Sequence, residues 1–358
     1  MKFIHCSDLH LDSKIEGLPT EKSRVRREEI LRTFERLVQY AKDNAVTAVI
    51  IAGDMFDTAR ISVKTKERVV TTIKNCNNVD FIYLAGNHDE TNFINELGEL
   101  PKNLKCVYDN WEYFDYNNVT IASVMLTNAN CKAIYDTLKL NEQRINIVSL
   151  HGQVIGHKGE GQAHDISIPK LKEKNIDYLA LGHIHSYSKD IIDLRGEYSY
   201  SGCLDGRGFD ELGDKGFVLV EVEEKSIKTE FVKFSSRTLH EFEFNVENYP
   251  NWHSAVIALE GQLANQFESN SLLKIILTGE HKTDFYIDRE GLASRLNEKF
   301  FFTKVYDKTV LKIEQTDYEA DKSVRGEFVR TVMNSDMDDE YKKQVLLLGL
   351  NALKGEEI

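Results

Sequence analysis

Seven side chains of the kinds that ligate divalent cations fall in five short patches: Asp8-Leu9-His10, Gly53-Asp54, Gly86-Asn87-His88-Asp89, His151-Gly152 and Gly182-His183-Ile184-His185. The seven are Asp8, His10, Asp54, Asn87, His151, His183 and His185. One His-x-His is a weak signal, but five patches that each close an apolar run are hard to produce by chance. Carboxylate, amide oxygen and imidazole together suit ions of intermediate hardness, with Mn²⁺ expected first and Fe²⁺, Zn²⁺ or Mg²⁺ as alternatives. Seven ligands exceed one tetrahedral site, so two ions sharing a carboxylate is the economical arrangement. Two ions roughly 3.5–4 Å apart clamp a phosphoryl group and make a nucleophile of water at neutral pH, which is phosphate ester chemistry. His5, by contrast, lies inside an apolar strand and reads as a core histidine.

Convergence of residues this far apart needs a framework. Lys2 to Cys6 reads as a strand, and Ile30, Phe34, Leu37, Val38 and Ala41 then recur at helical spacing. Val46 to Ala52 is a β-branched run of the kind buried on both faces of a sheet. A helix over Ser62 to Cys76 and a strand over Phe81 to Ala85 complete a βαβαβ layout. Further runs, Ile145 to Leu150 and Tyr178 to Leu181, precede the last two patches. In open α/β sheets, ligands bind beyond the carboxyl ends of the strands, so all five patches are expected at one edge. After Tyr187, strands over Ile191 to Leu194, Tyr198 to Ser201 and Phe217 to Val222 suggest a second sheet packed on the first. A small α+β unit is expected over 237–315, with a strand spanning Thr303 to Ile313, and two helices over 316–358.

With 358 residues, the chain has length for about two domains. Five cysteines without paired spacing indicate reduced thiols. No apolar run approaches the roughly 20 residues that span a bilayer, and the start lacks a signal-peptide profile, so no membrane association and a cytoplasmic location are expected. A formal net charge of −13 argues against nucleic acid coating the whole surface but leaves room for a local basic patch.

The ordered set D-x-H, G-D, G-N-H-D, H and G-H-x-H resembles the calcineurin-like metallophosphoesterase superfamily. The opening Cys6-Ser7-Asp8-Leu9-His10-Leu11-Asp12, the Gly53-Asp54-Met55-Phe56-Asp57-Thr58 loop and the unit after Arg237 are similar to SbcD-type exonuclease subunits of DNA double-strand-break repair. The resemblance implies a metallophosphoesterase β-sandwich flanked by helices over 1–236, a capping domain over 237–315 and a C-terminal helical partner-binding segment over 316–358. It assigns Asp8, His10, Asp54 and His185 to one ion and Asp54, Asn87, His151 and His183 to the other, with Asp54 as the bridge. A bridging hydroxide would attack phosphorus, and His88 would protonate the departing oxygen as general acid. Asp57 resembles the carboxylate paired with that histidine, with Asp89 as the rival partner.

The metal site alone does not select the ester. Between Arg60 and Lys74, five cations (Arg60, Lys64, Lys66, Arg68 and Lys74) face one acid, Glu67; Lys22, Arg24, Arg26 and Arg27 form a second basic cluster. Such clusters would hold a phosphate backbone without reading sequence. Arg60, Lys64, Arg68 and Arg207 are therefore candidate substrate contacts, with Phe209 a candidate for base stacking. The resemblance implies a DNA nuclease, the SbcD-like partner of an SbcC-like coiled-coil ATPase docked through the C-terminal helices. It also implies a homodimer through helices near Arg60–Leu100, where Phe93, Ile94, Leu97 and Leu100 make an apolar stripe. The alternative is a stand-alone phosphatase or nucleotide phosphodiesterase of the same superfamily.

Overall fold

The computed structural model describes residues 1–57, 61–86, 100–156, 164–224, 226–282, 285–312, 318 and 320–354. Arg60, Asn87, His88, Asp89, Phe93, Ile94 and Leu97 lie outside these residues. The chain divides into two units, Met1–His240 and Glu241–Ile358.

The strands of the first unit, in chain order, are β1 (Lys2–Cys6), β2 (Ala48–Ala52), β3 (Asp80–Leu84), β4 (Leu104–Val107), β5 (Glu112–Tyr116), β6 (Val119–Ser123), β7 (Ile145–His151), β8 (Gln153–Val154), β9 (Asp165–Ile166), β10 (Tyr178–Gly182), β11 (Ser188–Ile191), β12 (Glu197–Tyr200), β13 (Gly216–Glu223) and β14 (Ser226–Lys233). Among the described residues its helices are α1 (Thr20–Asp43), α2 (Val63–Lys74) and two single turns, α3 (Ile134–Thr137) and α4 (Ile168–Leu171). One six-stranded sheet runs β14-β13-β1-β2-β3-β4 and the other β11-β12-β10-β7-β6-β5.

Every residue of β2 is buried, because both faces of its sheet are covered. Val49 and Ile51 join Phe34, Leu37, Val69 and Ile73 in a core beneath α1 and α2. Ala48, Ile50 and Ala52 face the other way and meet Ile121, Ile147, Tyr178 and Ala180 between the sheets. A third core, including Ile134, Leu171, Leu179 and Leu181, covers the far side of the second sheet. The result is a β-sandwich flanked by helices. Each Ile or Val so buried contributes roughly 1.5–3 kcal/mol.

Two expectations about the sheets are corrected. Phe217 to Val222 does not belong to a second sheet with the segment before it: β13 pairs antiparallel with β1 and thus extends the first sheet. The second sheet instead begins earlier in the chain, at β5, and has β7 parallel to both β6 and β10. Its neighbouring strand ends at Ile191 rather than running on to Leu194, because the side chain of Asp193 accepts from the Arg195 and Gly196 N–H groups and turns the chain. The patches at His151 and His183 therefore project from a different sheet from those at Asp8 and Asp54.

His5 is the buried tie between the sheets. Its Nε2 lies 3.1 Å from the Leu181 carbonyl, which can only accept, so Nε2 carries the proton. Nδ1 then accepts from the Tyr178 hydroxyl at 2.7 Å.

The second unit contains β15 (Leu239–Asn245), α5 (Trp252–Gln266), β16 (Leu272–Thr278), β17 (Glu280–His281), α6 (Arg289–Lys299), β18 (Phe302–Asp307), β19 (Val310–Leu311), α7 (Val324–Met333) and α8 (Asp339–Lys354). Its main sheet runs β15-β16-β18 over a core that includes Leu259, Leu263, Ile275 and Leu296. The strand expected across Thr303 to Ile313 breaks at Asp307, whose carboxylate accepts from the Thr309 N–H at 2.9 Å and makes a turn. On α7 and α8, Val329, Val332, Leu346 and Leu350 form a small core. Tyr341 and Leu348 on α8 remain 53% and 51% exposed. All five cysteines are free, and no helix among the described residues is long and apolar enough to cross a membrane.

Burial lowers the His5 pKa from 6.5 to about 3, against a smaller opposing effect of its bond to Leu181. The unfolded chain therefore binds a proton that the folded chain refuses, so this histidine's contribution is constant above about pH 6.5 and is lost as pH falls below it. The loss should approach about 1.4 kcal/mol per pH unit. Urea unfolding of wild type and His5→Gln between pH 7 and pH 5 tests this: stability of the variant should fall with pH by close to one proton less.

Candidate metal centre

The β1–β2 ladder does not stop where the strands end. The Asp8 N–H donates to the Gly53 carbonyl at 3.1 Å, the His10 N–H to Asp54 at 3.0 Å and the Leu11 N–H to Met55 at 2.9 Å. The first two patches are thus zipped together. The other pair is joined to them across the sandwich, where the His183 N–H donates to Asp8 at 3.0 Å.

Asp8, His10 and His185 place ligand atoms within 4.8 Å of one another, and so do Asp54, His151 and His183. Five of these six are buried; His185 is part-buried. Four of them hold left-handed backbone with a side chain attached: Asp8 at φ 51°, His10 at 43°, Asp54 at 50° and His183 at 104°. Such conformations cost of order 1–3 kcal/mol each and gather where function demands a particular direction for a side chain. Gly53, at φ 92°, has a further reason to be glycine: a Cβ there would stand 2.0 Å from Nδ1 of His151. At Gly182 a Cβ would meet the Ala52 carbonyl oxygen at 1.8 Å.

Three of the imidazoles are oriented by what holds their Nδ1. That of His10 is 3.1 Å from Asp57 Oδ1, that of His185 is 2.8 Å from Glu211 Oε1, and that of His151 is 2.9 Å from the Ala52 carbonyl. These partners accept, so each Nδ1 donates and each Nε2 keeps its lone pair, as metal-ligating histidines require. Arg207 Nη2 also approaches His185 Nδ1, at 3.4 Å, but a guanidinium only donates and the shorter carboxylate contact sets the tautomer.

The donor set fits metal ions. Nε2 of His10 and Nε2 of His185 lie 3.1 Å apart with lone pairs facing. Two imidazole nitrogens on one ion, each at about 2.0–2.1 Å, would stand roughly 2.9–3.4 Å apart. Nε2 of His183 is buried and makes no hydrogen bond among the described residues. Nε2 of His151 lies 3.3 Å from Asp54 Oδ2.

A family model described as Calcineurin-like phosphoesterase matches residues 1–187. The chain belongs to that family. The structure gives this calcineurin-like phosphoesterase two adjacent ligand groups, consistent with a dinuclear divalent metal centre. It is 28% identical over 249 residues to the uncharacterized metallophosphoesterase YhaO of Bacillus subtilis, an alignment covering 64% of this chain and 60% of that one. It is 25% identical over 279 residues to the DNA double-strand break repair protein Mre11 of Sulfolobus acidocaldarius, covering 72% and 70%. The similarity to the Mre11 of Archaeoglobus fulgidus is 21% identity over 100% of this chain and 87% of that one. Among solved structures, a dimetal phosphatase from Danio rerio aligns with TM-score 0.48 and 11% identity over 64% of this chain and 95% of its own.

Other expected site residues are placed as follows. Asp57 lies between His10 and Arg207, with its Oδ2 3.5 Å from Nη1 of Arg207. Arg207 is committed to Glu211 through Nε at 2.9 Å and Nη2 at 2.7 Å. Phe209 is half-buried in the same loop. Arg68 is also engaged, forking onto Glu28 and Glu35 at 2.8–2.9 Å. Arg26, counted with the basic cluster, is buried against Asp205 and the Gly206 carbonyl and serves the core instead. A buried cation requires a bonded carboxylate, and sequence distance hides that partner, here Asp205.

Glu211 was missed by sequence reasoning. It is 2% exposed, accepts the Arg207 N–H at 2.7 Å and holds His185. Burial alone would raise its pKa, but the bond from His185 and the charge of Arg207 hold it well below the usual carboxylate range. The available signal was an Arg-x-x-x-Glu spacing, here Arg207 and Glu211, inside a loop that otherwise reads as a turn.

Gly53→Ala should destabilise the fold by at least about 1–2 kcal/mol from its left-handed backbone alone. The new methyl would also displace His151. Denaturant unfolding and elemental analysis of the purified variant check both effects, the second as loss of bound metal.

Proposed function

We propose that the chain is a metal-dependent DNA nuclease of the Mre11 and SbcD type, using two Mn²⁺ ions. The observation that carries the choice of DNA is a cleft of about 420 Å³ between α1 and α2, whose charged lining is four cations, Arg24, Arg27, Lys64 and Arg68, against two acids, Asp12 and Glu28. Arg24, Arg27 and Lys64 have no bonded partner among the described residues, unlike Arg26 and Arg68. The cleft is also tied to the metal loops: the Ser62 N–H at the start of α2 donates to Asp12 at 2.7 Å, two residues from His10. Free cations beside a phosphoesterase centre suit a long polyanion whose backbone must be held regardless of sequence. The relatives named as DNA double-strand break repair proteins point the same way.

In this reading Asp54 would be shared between the two groups, and Asn87 would add a ligand to the second. When bound, the ions supply the positive charge that polarises the phosphodiester and lowers the pKa of the attacking water. His88 delivers the proton to the departing oxygen. The apolar surface left on α8 by Tyr341 and Leu348 suits docking of a coiled-coil ATPase, and the segment from Arg60 to Leu100 suits self-association.

Degradation of end-labelled DNA with Mn²⁺ is the direct test. Wild type should cut, Asp54→Ala should lose both activity and metal, and His88→Ala should lose at least about a hundredfold in turnover while retaining its ions. If DNA stays intact while wild type hydrolyses a small aryl phosphate ester, the chain is a phosphatase of the same family.

The triple variant Arg24→Gln, Arg27→Gln, Lys64→Gln should bind DNA more weakly. The slope of log affinity against log salt should flatten by about 0.9 for each phosphate that is no longer neutralised. An unchanged slope in fluorescence-anisotropy titrations would remove this cleft from the binding surface.

A further inference from the structure

The two ligand groups are supported differently. In one, both imidazoles lean on carboxylates: His10 on Asp57 and His185 on Glu211. In the other, His151 leans on a neutral backbone carbonyl. Arg207 lies between the two supporting carboxylates, closing a ring of interactions through His10, Asp57, Arg207, Glu211 and His185, whose last step is the 3.1 Å approach of the two Nε2 atoms. The loop that supplies Arg207 and Glu211 is itself fixed. Asp205 accepts from Thr33 on α1 at 2.8 Å and from the Ser236 N–H at 3.0 Å. Lys215, 2% exposed, donates to the His185 carbonyl at 2.7 Å.

We infer that Arg207 and Glu211 form a positioning pair that sets the affinity of the ion held by Asp8, His10 and His185, leaving the ion held by Asp54, His151 and His183 largely untouched. Glu211 fixes the His185 ring and makes its Nε2 more basic. Arg207 bonds Glu211 and links it to Asp57, so that both imidazoles are set by one unit. Losing such a supporting partner usually costs 10–100-fold in metal affinity. Arg207 is thereby drawn from the substrate surface, where its sequence position had suggested it, into the support of the metal. The inference rests on the dinuclear centre and is independent of whether the ester is DNA.

The test is Mn²⁺ titration of the metal-stripped full chain by calorimetry, with bound metal counted by elemental analysis. Wild type should take two ions. Glu211→Gln, nearly isosteric, should weaken one binding event 10-fold or more, and Glu211→Ala should weaken it further; Arg207→Ala should weaken the same event. In Co²⁺-loaded protein, the visible absorption of one ion alone should change. Thermal unfolding of the metal-free variants separates positioning from folding: near-wild-type melting with one weakened ion supports the pair's role. Equal weakening of both ions, or unchanged affinity for both, overturns it. For Arg207→Ala, unchanged metal affinity with a raised KM for DNA and unaltered kcat would restore Arg207 to the substrate surface and likewise overturn the inference.

Discussion

The parallel ladder between β1 and β2 is the constraint on which the centre depends. Its hydrogen bonds continue past the strands, so Asp8 and His10 are registered against Gly53 and Asp54 by backbone alone. Like-charged carboxylates and facing imidazole lone pairs repel, and the left-handed turns that aim them are individually unfavourable. Regular main-chain pairing on a fully covered sheet can impose such an arrangement where a loose loop would relax away from it. The three apolar layers supply the surplus stability that this imposition consumes.

From there the centre is assembled in two stages. One sheet presents Asp8, His10 and Asp54 as a preformed half, and the other brings His151, His183 and His185 from β7 and β10. The halves meet because His5 bonds Tyr178 and Leu181 within the sandwich, and because Asp8 receives the N–H of His183. A core interaction and a site interaction thus perform the same alignment a few residues apart. At Gly53 and Gly182 the backbone of one sheet meets a residue of the other with no room for a side chain.

The six residues that gather in the two groups able to hold an ion were legible in the sequence because each follows an apolar strand, and strand ends are where α/β folds place chemistry. The placement of those strands was less legible. β13 looks like any alternating strand, and its pairing with β1 joins residues more than 200 positions apart. β5, with the pattern Glu112-Tyr113-Phe114-Asp115-Tyr116, is half exposed and lacks the continuous apolar run that marked its neighbours. Glu211 looked like a turn residue and Arg26 like a surface cation. Both are defined by distant partners, His185 and Asp205, and composition near them carries no trace of that.

A cation shared by Asp8, His10 and His185 would do more than chemistry. His10 and His185 are 175 positions apart and belong to opposite layers of the sandwich. An ion joining them is a cross-link of the kind a disulfide makes, in a chain whose cysteines are all free. Unlike a disulfide, it would let go when the chain unfolds, so its binding free energy would add directly to the stability of the folded state. The mouth of the sandwich, where the backbone is most contorted, would then be fastened by the same ion that the reaction uses.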